Sequence, residues 1–165
     1  MAVKLIRLDY PVGSNIQLPD YIKSSTFMVS LDKVENNLCA WACFAIINGS
    51  RRDRYLTQAK ELFASFYGID KKYKKLSNGE YKEYNKLIDE KYRKLLDEEI
   101  RIYAGFDFVN ELDRYEATTK YVINIIFCNE DKSIEYIRKS EFNDTKERKF
   151  LNIYDNHLSV VTNLF

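Results

Sequence analysis

The chain is short of the residues that break a fold or cross-link it. Only five of its 165 residues are glycine and two are proline, so it carries no flexible linker and little sign of disorder. With five scattered glycines, neither a Walker-type phosphate loop nor the dinucleotide fingerprint can be written. Cysteine is sparse too. Cys39, Cys43 and Cys128 make an odd count without framework spacing and read as reduced thiols in an intracellular setting, cytoplasmic or nuclear. A surplus of charge is also missing: 26 Lys+Arg face 25 Asp+Glu, a net +1. A protein that relies on phosphate contacts carries a basic surplus, so nucleic acid is not indicated as a partner. The one basic run, Lys71-Lys72-Tyr73-Lys74-Lys75, reads as a solvated loop or helix face. No apolar run is long enough to cross a membrane. Residues 1–11, charged at Lys4, Arg7 and Asp9, read as neither a secretory signal nor an anchor.

What is present is a sizeable apolar fraction, 45%, which predicts a single domain over residues 1–165 with a real core. Residues 3–8 suggest a short edge strand, broken by Pro11, Gly13 and Pro19, and residues 27–31 a second. The run Leu38-Cys39-Ala40-Trp41-Ala42-Cys43-Phe44-Ala45-Ile46-Ile47 is apolar on every face and too short to span a bilayer. It predicts a helix buried in the core, closed by Asn48-Gly49. Residues 55–67 carry the stripe Leu56, Ala59, Leu62, Phe63, Phe66 of an amphipathic helix. A more polar and peripheral helix begins near the capping-box pattern Ser77-Asn78-Gly79-Glu80 and runs to about Leu96 or beyond. Asp107 is placed to cap a third.

The pattern then changes. Residues 121–128 are rich in β-branched and aromatic side chains, Asn129-Glu130-Asp131-Lys132 makes a turn, and residues 133–138 return as a strand. Residues 150–154 and 157–161 supply further strands. Helices followed by a mostly antiparallel sheet predict the α+β class.

Chemistry is concentrated in few residues. A thiol at the first turn of a helix gains from the dipole and from backbone N–H groups, which also suit an oxyanion. Cys39 has that position, after the polar stretch Glu35-Asn36-Asn37, whereas Cys43 one turn on reads as packing. His157 is the only histidine, so any Cys–His pair must use it. A third group should hold the imidazole. On a regular strand Asp155 and Ser159 would share its face, Asp155 being electrostatically the stronger. Three cysteines and one histidine do not form a zinc site at this spacing, so neither metal nor cofactor is expected.

The stretch Asn36-Asn37-Leu38-Cys39-Ala40-Trp41-Ala42-Cys43 resembles the nucleophile motif of ovarian-tumour-type (OTU-like) cysteine proteases. There, Asp-Gly-Asn-Cys and following apolar residues open a helix. The end Phe150-Leu151-Asn152-Ile153-Tyr154-Asp155-Asn156-His157-Leu158-Ser159 resembles the family's closing hairpin with its catalytic histidine. Asn-Leu-Cys-x-Trp, with Arg51-Arg52-Asp53 and Ala59-Lys60-Glu61-Leu62 after it, is similar to OTU-like segments of Polinton/Maverick-type transposons and viral polyproteins. The resemblance implies a papain-like fold and hydrolysis of peptide or isopeptide bonds, in the manner of a deubiquitinase. It further implies a protein substrate: ubiquitin, a ubiquitin-like protein or a polyprotein. Cys39 would be the nucleophile and His157 the base, with Asp155 or Ser159 orienting; Asn36, Asn37, Leu38 and Trp41 would serve the oxyanion and substrate. Asn36 stands where the family has aspartate, Leu158 where an aromatic is usual, and Ser159 where many members carry an acid or amide. These departures leave open a catalytically inactive, protein-binding relative from a mobile element or virus.

Overall fold

The computed structural model describes residues 18–29, 31, 34, 37–51, 53–70, 85–138, 145–155 and 157–162. Among these run five helices: α1 (Asp20–Lys23), α2 (Cys39–Ile47), α3 (Tyr55–Phe66), α4 (Asn85–Ile102) and α5 (Leu112–Thr118). Five strands accompany them, β1 (Met28–Val29), β2 (Tyr121–Cys128), β3 (Ile134–Arg138), β4 (Glu147–Tyr154) and β5 (His157–Val161). No helix among the described residues is long and apolar enough to cross a membrane.

The α+β class is as expected, but the sheet is mixed. Its order is β1-β5-β4-β2-β3, and the central pair β2–β4 is parallel, while β2–β3, β4–β5 and β1–β5 are antiparallel. The sequence shows hairpins where turns are short. It does not show that the β2–β3 hairpin lies at one edge, so that β4 pairs β2 on its other side and in the same direction.

α2 is buried along nearly its whole length because all its faces are apolar. It ends in a Schellman arrangement: the Ser50 N–H reaches back to the Ala45 carbonyl, the Gly49 N–H to Ile46, and Gly49 takes φ +90°. Around α2 the main core gathers Ala59 and Phe63 of α3, Leu96 and Ile100 of α4, Leu112 and Tyr115 of α5, and one face of the sheet. The polar helix is therefore less peripheral than expected, since its C-terminal turns are docked into the core and it runs on to Ile102. Its expected capping box lies outside the described residues, as do the strand expected at residues 3–8 and the basic run at 71–75. Asp107 caps a turn earlier than expected: its carboxylate accepts the N–H groups of Val109 and Asn110, and α5 starts only at Leu112.

Strand register sorts the side chains of the sheet. Cross-strand partners share a face. Leu151 opposes Val160, Ile153 opposes Leu158, and these four join Ile123 and Ile125 in the core with α2. Asn152 opposes Ser159 and Tyr154 opposes His157, so these four share the other face. Val122, Asn124 and Ile126 lie there as well, by parallel register with Arg148, Phe150 and Asn152. α1 covers part of that face, its Tyr21 lining a cavity with Met28, Ile126, Cys128 and Val161.

Candidate active site

Cys39 is the first residue of α2, and its N-cap Leu38 offers no side-chain hydrogen bond to the helix start. The first intrahelical bond is Ala42 N–H to the Leu38 carbonyl, so the N–H groups of the first turn lie ahead of the ladder, at the positive end of the helix. Cys39 is 1% exposed. Cys43 is fully buried, and burial pushes its thiol well above the ordinary range, the neighbouring Cys39 adding to the shift. Cys43 is packing, as expected.

The turn into Cys39 is held from both sides. Asn37 has φ +58°, a left-handed conformation that asparagine tolerates, and its side-chain amide donates to the Tyr103 carbonyl at 3.0 Å. Two residues beyond Cys39, the Trp41 indole N–H donates to the Tyr103 hydroxyl at 2.9 Å. The Tyr103 and Tyr67 hydroxyls are 3.0 Å apart, and Tyr67 donates to Glu111 Oε1, also 3.0 Å away. The Asp107 N–H donates to that same oxygen at 3.1 Å. Burial is the main reason that the Tyr103 hydroxyl is pushed up to about 12 and that of Tyr67 higher still, so both stay protonated at neutral pH.

Of the four residues expected to serve the oxyanion and substrate, three are described. Trp41 is 1% exposed, its ring set among Phe44, Phe63, Phe66, Tyr67, Phe106 and Tyr115 at centroid distances of 5.0–6.3 Å. Leu38 is likewise buried in the core. Asn37 is engaged with Tyr103 and acts on the shape of the loop. Asn36 lies outside the described residues.

His157 is the first residue of β5 and is 2% exposed. α2 packs along β5, and their far ends, Ile46 and Ile47 against Val160 and Val161, line one surface cavity. Nine helical residues rise about 12 Å and five strand residues span about 13 Å, so the opening residues Cys39 and His157 belong to the same end of this layer pair. By alternation along β5, however, His157 takes the face opposite Leu158 and Val160, which lie in the core with α2. Ser159 shares that face, as expected. Asp155 does not: it sits in the two-residue turn between β4 and β5, exposed, with φ +43°. Asp155 therefore borders the imidazole from the turn and not from the strand face.

Asn152 was missed by the sequence reading. It is 1% exposed, lies directly opposite Ser159 and diagonal to His157, and its Oδ1 accepts the Cys128 N–H at 2.7 Å. Its signal is a lone amide inside the apolar strand Phe150-Leu151-Asn152-Ile153-Tyr154, a position that needs a reason. Tyr103, Tyr67 and Glu111 carry no comparable signal, because their grouping arises only from tertiary packing. Among the described residues, no group of three or more His, Cys, Asp and Glu side chains could hold a metal ion. Comparison of the chain with protein-family models, with curated proteins and with solved structures finds no match.

Proposed function

We propose that this chain is a thiol hydrolase of the OTU-like, papain-fold type, acting on peptide or isopeptide bonds of a protein substrate such as a ubiquitin-like tail or a polyprotein. The observation that carries the reading is a cysteine opening an apolar, buried helix without a side-chain cap, packed along the strand that the sole histidine opens. Cys39 gives its proton to His157 and attacks the carbonyl carbon. The first-turn N–H groups of α2 receive the oxyanion, and the imidazolium then protonates the leaving amine. Water, with His157 as base, hydrolyses the thioester and restores the thiol. Ser159, on the histidine's own face, or Asp155, in the turn before it, orients the ring, with Asn152 in support.

A second reading is favoured by a specific observation. With Cys39 at 1% exposure and His157 directed to the other face of the sheet, the chain suits a protein-binding module that keeps the helix and strand without the chemistry. The two readings separate on one experiment: alkylation of Cys39 by iodoacetamide across pH, read by peptide mass spectrometry, in wild type, Cys39→Ala and His157→Ala. The hydrolase reading expects reaction well below the ordinary thiol value of about 8.5, lost in His157→Ala. It also expects a ubiquitin-like probe with a C-terminal electrophile to label Cys39. A Cys39 that titrates like a free thiol and ignores His157→Ala sinks the hydrolase and leaves the binding module.

A further inference from the structure

We infer that Tyr103 is a positioning residue for the Cys39 thiol, clamping the chain on both sides of it through its carbonyl to Asn37 and its hydroxyl to Trp41. This rests on the hydrolase reading and assigns how its nucleophile is held. The two bonds fall two residues before and two residues after Cys39, at 3.0 and 2.9 Å. They span the place where a left-handed residue turns the chain into an uncapped helix. Such a start frays unless something outside the helix fixes it.

The direction of the hydrogen bonds behind Tyr103 is forced by the donors. Indole N–H can only donate, so the Tyr103 oxygen accepts from Trp41. Tyr67 gives its proton to the Glu111 carboxylate, so its oxygen must accept from Tyr103. The chain therefore runs one way, from Trp41 through Tyr103 and Tyr67 to a carboxylate that also accepts the Asp107 N–H. A charged terminal acceptor strengthens the bonds upstream of it. Glu111 belongs to the turn before α5 and Tyr103 follows α4, so two elements remote in sequence brace one turn. A negative charge on Cys39 adds to the forces keeping Tyr103 protonated, so the brace is not lost when the thiol ionises.

The test uses the full chain with Tyr103→Phe, which keeps the carbonyl bond to Asn37 and removes the hydroxyl. Glu111→Gln, at the end of the hydrogen-bond chain, serves as the second variant. Cys39 alkylation is followed across pH with Cys43 and Cys128 as internal references, and unfolding in urea is measured in parallel. Loss of one positioned hydrogen bond should slow Cys39 roughly threefold to tenfold at neutral pH and move its pH midpoint up towards the free-thiol value. Cys43 should stay protected, and Glu111→Gln should act in the same sense and less. A merely structural tyrosine would expose all three thiols together and leave the Cys39 midpoint where it was, which overturns the inference. Wild-type Cys39 that is activated by His157 yet indifferent to both variants also overturns it and leaves the hydrolase standing. A wild-type Cys39 without activation defeats the hydrolase reading itself, and the positioning role with it.

Discussion

The environment of Cys39 depends on α2 being enclosed, and Phe44→Ala tests that directly. Phe44 is fully buried on α2. It stacks on Tyr115 at 3.9 Å with planes 17° apart, and meets Trp41 and Phe106 edge-on at 5.4 and 5.2 Å. Core Phe→Ala substitutions cost about 3–5 kcal/mol, combining lost transfer energy with an incompletely collapsed cavity. Three specific ring contacts, each worth about 0.5–1.5 kcal/mol beyond area, keep this site off the bottom of that range, near 4 kcal/mol. For a chain of this size that is a fall in Tm of roughly 8–16 °C. At about 2 kcal/mol per molar urea it lowers the unfolding midpoint by about 2 M. Trp41 is the only tryptophan and touches the ring removed, so its fluorescence reports unfolding of this very cluster, with circular dichroism as the second probe. Phe44→Leu, which keeps most of the volume, should cost about 1–1.5 kcal/mol. An alanine variant that loses less than about 1 kcal/mol would mean α2 is not surrounded as described, and the burial of Cys39 and Trp41 would fall with it.

The two cysteines outside the proposed chemistry should rank by environment. Burial and Asp131 hold the Cys128 thiol above its ordinary value, so its thiolate fraction at pH 7.5 is small and its alkylation should still be rising above pH 9. Cys43, raised much further and fully buried, should remain unmodified until the protein unfolds, and its labelling at neutral pH in the absence of urea would contradict the structure. Asn152→Ala strips the acceptor from the Cys128 N–H and should cost about 1–3 kcal/mol in urea unfolding, while also slowing Cys39 alkylation. Asp155→Asn, in an exposed turn, separates the two orienting groups: Cys39 alkylation within about twofold of wild type assigns the role to Ser159, and a larger loss assigns it to Asp155.

Local rules made much of this architecture legible. An all-apolar ten-residue run followed by Asn-Gly could only be a short buried helix, and α2 runs Cys39–Ile47. The β-branched and aromatic run at 121–128 coincides with β2, and the polar tetrad after it makes the expected turn, with Lys132 at φ +69°. What failed was whatever depends on partners distant in sequence. The parallel β2–β4 pairing has no local mark, and the docking of Leu96 and Ile100 is invisible on a helix whose apolar stripe is thin. Trp41 shows the same limit at the site: its place two residues after a cysteine does not tell that its ring is enclosed. Its surroundings are six aromatic rings, five of them on segments that begin more than ten residues later. The brace on Asn37 is a further case, since the sequence separation to Tyr103 is 66 residues.

The register of β5 shows why a strand can be easy to read and its site hard. Side chains alternate with period two, so the placement of Leu158 and Val160 decides that of His157 and Ser159. Leu158 and Val160 match Ile153 and Leu151 across the pair and fill the core beneath α2, which fixes the register strongly. A one-residue slip would put an imidazole and a hydroxyl among Trp41, Phe44 and Ile123 and expel two aliphatic side chains, a loss of several kcal/mol. The pattern that makes β5 a sound core strand therefore turns His157 and Ser159 away from α2. A working Cys–His pair must then close around the end of the sheet and not through it. His157 meets that requirement better than Ser159, since it borders the turn, whereas Ser159 lies two residues, roughly 7 Å, inside the strand. The thiol at the first position of α2 is the matching end of the helix layer. On this geometry, lengthening the turn by one glycine between Asp155 and His157 should disturb Cys39 reactivity far more than stability, because the core face keeps its register while the histidine alone is re-aimed. Equal losses in both would show that His157 serves only the packing of its own face.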